Sequence, residues 1–193
     1  NFSFIASNYD YVLDNKLTVG REEKTFAFKY DAFVKDYSTR ADFTYYWNEN
    51  NTLRFGLNST YHDFNVGQVN GRQDTVRFDF SMPKVNSIET ALYISNEQKI
   101  NQNLTLDYGL RYTLFQNIGP ATVNMVGNNY QVTGEKQYDK GEIYNTYHGF
   151  EPRLAAKYVF SERHSVKASY SNTRQHLLIA SNSNAGTPLD VWI

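Results

Sequence analysis

The sequence predicts an all-β chain of antiparallel strands and favours a transmembrane β-barrel over a soluble sheet, on three observations. The first is residues 104–115, where Leu104, Leu106, Tyr108, Leu110, Tyr112 and Leu114 alternate without a break with Thr105, Asp107, Gly109, Arg111 and Thr113. That is the period of two a strand imposes. At roughly 3.3 Å per residue the run reaches about 35 to 40 Å, and crossing a bilayer at the usual tilt takes only about 9 to 11 residues. The second is the aromatic content: 16 Tyr and 13 Phe are spread along all 193 residues, and such side chains are favoured in strands and at both faces of a membrane. The third is the spacing of the connections, which emerges when the strands are taken in turn.

Residues 1–13 hold Phe2, Phe4, Tyr9, Tyr11 and Leu13 in an imperfect strand pattern, closed by a turn signal at Asp14, Asn15 and Lys16. Residues 17–30 read as a second strand, clearest where Phe26, Phe28 and Tyr30 oppose Thr25, Ala27 and Lys29, and residues 31–36 as a connection. Strict alternation returns in residues 39–47, with Ala41, Phe43, Tyr45 and Trp47 on one face and Arg40, Asp42, Thr44 and Tyr46 on the other. A polar turn, Asn48, Glu49, Asn50 and Asn51, leads to the hairpin partner, where Leu53, Phe55, Leu57, Ser59 and Tyr61 oppose Arg54, Gly56, Asn58, Thr60 and His62. Order then weakens. Residues 67–85, with Gly67, Gly71 and Pro83, read as a long loop that includes a short strand near 75–80.

Residues 87–97 form the next strand, with Ile88, Leu92 and Ile94 against Glu89, Tyr93, Ser95 and Glu97, and Asn101, Gln102 and Asn103 turn it into the run at 104–115. A second excursion, residues 116–146, holds Pro120 and a scatter of Gly, Asn, Gln and Tyr. Leu154, Ala156, Tyr158 and Phe160 then alternate with Glu151, Arg153, Ala155 and Lys157, and Ser161 to His164 turn the chain once more. Val166, Ala168 and Tyr170 alternate with Lys167, Ser169 and Ser171, and residues 181–188 read as loop.

Beginning at Asp14, every second connection is about 3 to 5 residues long, while two of those between far exceed the ~4 to 6 residues common in compact domains. Short turns at one end and long loops at the other are the pattern of an outer-membrane barrel. A soluble β-sandwich stays open at this point, since its strands alternate in the same way with the apolar face turned inward. Strand length, aromatic residues near strand ends and the one-sided loops favour the barrel.

Mean hydropathy of −0.61 is no obstacle, because a barrel is half polar by construction. No run approaches the ~18 consecutive apolar residues of a membrane helix. A net charge of −1, with Lys and Arg interleaved with Asp and Glu, leaves no footprint for nucleic acid. The lack of cysteine removes disulfides, thiol nucleophiles and cysteine metal sites. His62, His148, His164 and His176 have no metal-ligand spacing, and no hydrolase or phosphate-cradling motif assembles. No catalytic residue, cofactor or metal is expected. Recognition falls instead to aromatic residues of the long loops, Tyr130, Tyr138, Tyr144, Tyr147 and Trp192, which could stack on a sugar or aromatic ligand. Ordering the loops, or marking the membrane interface, is the plainer use of the same rings.

Four stretches belong together: residues 42–67, DFTYYWNENNTLRFGLNSTYHDFNVG; residues 91–115, with YISNEQKINQNLTLDYGLRYTLF; residues 150–154, FEPRL; and residues 167–192, with Ala-Ser-Tyr, Gln, a small loop, Pro, Asp and Trp. In order and spacing they resemble the barrel of TonB-dependent outer-membrane transporters of the Bacteroidetes type. The resemblance implies that residues 1–193 are an internal part, about eight strands, of one barrel domain of about 22, with plug and terminal strands elsewhere in the polypeptide. It also implies import of a nutrient such as a glycan, peptide or siderophore across the outer membrane of a Gram-negative bacterium. The implied partners are outer-membrane lipid, the chain's own plug domain, a periplasmic TonB-type energy-coupling protein and a surface lipoprotein. With the apolar faces on lipid, Arg111 and Arg153 among the lumen residues are the best placed to hold a plug, because arginine makes forked hydrogen bonds to carboxylates and backbone oxygens. Two alternatives stay open: a small barrel of about eight strands with a structural or adhesive role, and a soluble glycan-binding β-sandwich.

Overall fold

The structure, a computed structural model, describes residues 1–19, 24–73, 76–81, 84–127, 131–177, 179–180 and 191–192. Among them the strands in chain order are β1 (Phe2–Val19), β2 (Lys24–Asn48), β3 (Asn51–Gln73), β4 (Val76–Ser81), β5 (Lys84–Lys99), β6 (Leu104–Ile118), β7 (Ala121–Val126), β8 (Val132–Tyr138), β9 (Ile143–Ser161), β10 (His164–Ser171), β11 (Ile179–Ala180) and β12 (Val191–Trp192). The long strands pair antiparallel in the spatial order β1-β2-β3-β5-β6-β9-β10, and this sheet curls through half a barrel. β4 folds back on the end of β3, β7 and β8 make a separate hairpin, and β11 pairs with β12.

Three tight turns close one end of the sheet, and each is built by a short polar side chain that imitates backbone. Asn48 Oδ1 accepts from Asn50 N and Asn51 Nδ2, both at 2.9 Å. Asn101 Oδ1 accepts from Asn103 N and Leu104 N, again at 2.9 Å. Ser161 Oγ lies 3.0 Å from His164 Nδ1. The β3–β4–β5 passage and the β7–β8 hairpin stand at the opposite end, so the expected asymmetry of connections is present.

Register converts the alternation into two chemically different faces. Phe43, Phe55, Ile94 and Leu110 lie side by side across four strands, and Leu57, Leu92, Tyr112 and Phe150 form the next row. These apolar rows are open, with Leu92 56% and Phe150 59% exposed. The opposite face holds the well-buried groups, Ser87, Ala91, Thr113 and Glu151 among them. A sandwich would bury the apolar rows against a second sheet. Here the packing is inverted, as a barrel wall between lipid and a hydrated lumen requires, and the sandwich alternative is set aside.

Two expected connections are corrected. Asp14, Asn15 and Lys16 do not turn the chain, and residues 31–36 do not interrupt it: Asp14 pairs with Lys29 and Tyr9 with Val34 in one continuous β1–β2 hairpin. Away from the tight turns this hairpin extends beyond the height of a membrane, where polar side chains on either face meet water and cross-strand hydrogen bonds override local turn preference. Lys29 and Asp31, expected on opposite sides of a boundary, form an ion pair at 3.0 Å within β2. The two strands expected in residues 17–47 are therefore one, and among the described residues the sheet has seven long strands, with β4 as its short eighth member, in place of about eight spanning ones. Much of the loop expected in residues 67–85 is the end of β3 and β4, and that expected in 116–146 contains β7 and β8. The loop expected at residues 181–188 lies outside the described residues.

Candidate functional site

The lumen face carries an ionic network built by register. Asp42, Gly56, Tyr93, Arg111 and Glu151 form one row, because each occupies the inward parity of its strand. Glu151 is 3% exposed, accepts a hydrogen bond from Thr113 Oγ1 at 2.8 Å, and stands 4.0 Å from Arg111 Nε and 3.9 Å from Arg153 Nη2. A buried carboxylate needs such partners to stay charged. Two guanidinium groups share it, and the Arg153 side chain is still 56% exposed toward the lumen. Both expected plug-facing residues thus sit on the lumen face.

A second pair lies along the same row, where Arg40 Nε donates to Asp42 at 2.8 Å and the Tyr93 hydroxyl donates to the same carboxylate. Tyr93 covers Gly56, where a Cβ would strike both the Ala41 carbonyl oxygen and the Tyr93 ring. Arg54, one inward row nearer the tight turns, pairs at 2.8 Å with Glu97 of the row after it. Arg40, Tyr93, Asp107, Arg111, Arg153 and Ser169 border a hollow of 470 Å³.

Towards the outer end the lumen face changes character. Phe115, two residues beyond Thr113 and so on the same face, is 3% exposed. The His176 ring stacks on it with centroids 5.3 Å apart and planes 16° from parallel, and Tyr147 lies 6.4 Å from both rings. A register shift between Asn117 and Ile118 skips one residue of β9 and leaves Tyr144 without a partner in the ladder. Tyr144 lines the same cavity of 470 Å³ as Phe115, Asn117, Tyr147, Gln175 and His176. Tyr138 joins from β8, its ring 5.5 Å from that of Tyr144.

Residues 172–177 strap over this region after β10. Asn172 N donates to Pro152 O at 3.1 Å, Arg174 Nη1 to His148 O at 3.4 Å, and Gln175 Nε2 to Leu177 O at 2.8 Å. The Arg174 guanidinium occupies the space that a side chain at Gly149 would take.

Of the five expected ligand residues, Tyr144 and Tyr147 meet in one cavity with Tyr138 against its rim. They belong to strand β9 and the end of β8, not to irregular loops. Tyr130 lies outside the described residues; Trp192 is described only in its backbone, opposite Ile179. Sequence reasoning passed over Phe115 and His176 as ligand residues. The signal for Phe115 is its parity, an aromatic residue on the otherwise polar side of residues 104–115. His176 carries no local signal, since only the path of the strap brings it to Phe115.

A family model described as an outer membrane beta barrel domain matches residues 3–189. No curated protein and no solved structure matches the chain.

Proposed function

The chain belongs to the outer membrane β-barrel domain family, and from that premise we propose that it forms part of the wall of a larger, TonB-dependent importer of small nutrients. The observation that carries this reading is the open half-barrel with a polar, ionic inner face. Among the described residues one edge of β1 and one edge of β10 have no partner strand. Hydrocarbon does not tolerate rows of free N–H and C=O groups, which cost several kcal/mol each, so further strands of the same polypeptide complete the cylinder. A larger barrel leaves room for a plug, and the excess of guanidinium over carboxylate around Glu151 supplies donors for its carbonyl and carboxylate oxygens.

In this reading a ligand enters from the loop end, rests against the aromatic outer lumen and the plug, and passes along the wall when a periplasmic energy-coupling protein draws on the plug. The order of the four transporter-like stretches supports the same reading. The test is the intact mass of the native polypeptide from a detergent-solubilised outer-membrane fraction, with cross-linking to the periplasmic coupling protein. A mass several times 22.4 kDa and a cross-link are the expected results. A mass near 22.4 kDa overturns the importer in favour of a small barrel.

A further inference from the structure

The cavity at the outer end of the lumen face has a composition that selects a ligand class. We propose that it binds a neutral saccharide unit, with Phe115, Tyr144 and Tyr147 as its apolar platform and Asn117, Gln175 and His176 as its hydrogen-bonding rim. The proposal deepens the import reading by naming the substrate class, and rests on that reading only for the consequence of binding. Its volume of 470 Å³ falls within the roughly 300 to 1,000 Å³ of small-molecule sites.

The lining decides between ligand chemistries. Among the described residues no Asp, Glu, Lys or Arg borders the cavity, so a charged ligand would lose its hydration without gaining a counter-ion from them. A purely apolar ligand fits the rings but abandons the polar rim. Nε2 of His176 is buried without a partner among the described residues, and so is Oγ of Ser87. Ser87 is 0% exposed and lies directly opposite the cavity-lining Asn117 in the β5–β6 register. Buried polar atoms left unpaired are destabilising and call for a partner. A hydroxyl both donates and accepts, so it satisfies an imidazole nitrogen in either tautomer. A pyranose offers both requirements at once, an apolar C–H face for the rings and hydroxyls around its edge.

The strap completes the site: Gln175, His176 and Leu177, outside any strand, contribute one side of the cavity.

Saturation-transfer NMR on the full polypeptide in detergent tests this with a panel of neutral hexoses and their disaccharides, against glucuronate, glucosamine and phenol. Saturation of at least one neutral saccharide is expected, with none of the charged sugars or phenol matching it. Phe115→Ala and His176→Ala should each weaken that binding about tenfold, the worth of one aromatic contact, while Val166→Ala, exposed beside the tight turn at the other end of the sheet, leaves it unchanged. His176→Ala alters no strand, and a heat-dependent electrophoretic shift confirms that each variant is folded. Absence of binding by every neutral sugar, preference for a charged sugar or phenol, or unchanged binding in folded Phe115→Ala and His176→Ala overturns the proposal. Saccharide binding by a polypeptide of only 22.4 kDa would keep the site and remove the importer, so the two readings fail separately.

Discussion

Glu151 shows how one inward residue ties two neighbouring strands of wall together. Its carboxylate is held by Thr113 of β6 at 2.8 Å and flanked by Arg111 of β6 and Arg153 of its own strand. Glu151→Ala takes the acceptor from the buried Thr113 hydroxyl and the carboxylate from two guanidinium groups, and should cost about 1 to 3 kcal/mol, read as a lower midpoint in urea unfolding. Glu151→Gln keeps an acceptor for Thr113 and should fall between the two; a midpoint equal to wild type in Glu151→Ala would mean that the network contributes nothing. Gly149 acts at the same scale by what it lacks. Without a Cβ it admits the Arg174 guanidinium, so Gly149→Val should expel Arg174 and loosen the strap. Faster trypsin cleavage after Arg174, with the barrel's electrophoretic shift retained, is the expected outcome, and equal cleavage rates would detach the strap from Gly149.

Strands follow two different rules along their length, and this explains which boundaries were legible. Inside the membrane each residue faces lipid or water, so β6 alternates strictly and its start at Leu104 is readable from residues 101–104 alone. Leu110, 42% exposed on the apolar face, should tolerate no charge: Leu110→Arg is expected to hinder insertion by about 2 to 4 kcal/mol if it lies near the midplane. Normal insertion of that variant, measured as the heat-modifiable fraction, would contradict the face assignment. Beyond the membrane both faces meet water and alternation lapses, which is why β1 and β2 resembled turns at Asp14 and at residues 31–36. Cysteines at Tyr9 and Val34, directly opposite in the register, should form a disulfide in the cysteine-free chain. The pair at Tyr9 and Asp31 should not, since Asp31 pairs with Val12 and points to the other face. The opposite result would restore the expected connection.

At the scale of the whole molecule, the packing is inside-out and incomplete at two edges among the described residues. Residues 1–193 produced alone should therefore fail to give a monomeric folded species in micelles, judged by size-exclusion and far-ultraviolet circular dichroism; a monodisperse 22.4 kDa barrel would show that the edges close on each other. The sequence by itself determined the class of fold, the two faces and the end that bears the long connections, because a period of two is written residue by residue and a lipid face admits little else. It also marked Tyr138, Tyr144 and Tyr147 as ring-bearing positions near the outer end, and Arg111 and Arg153 as inward. Only the tertiary structure decided the number of long strands, since that depended on partner hydrogen bonds winning over the turn signals of Asp14 and its neighbours. It alone gathered Phe115, Tyr144, Tyr147 and His176 as well. Those contacts join β6, β9 and a strap after β10, and their geometry is fixed by register and chain path across the sheet, which no local pattern in the sequence encodes.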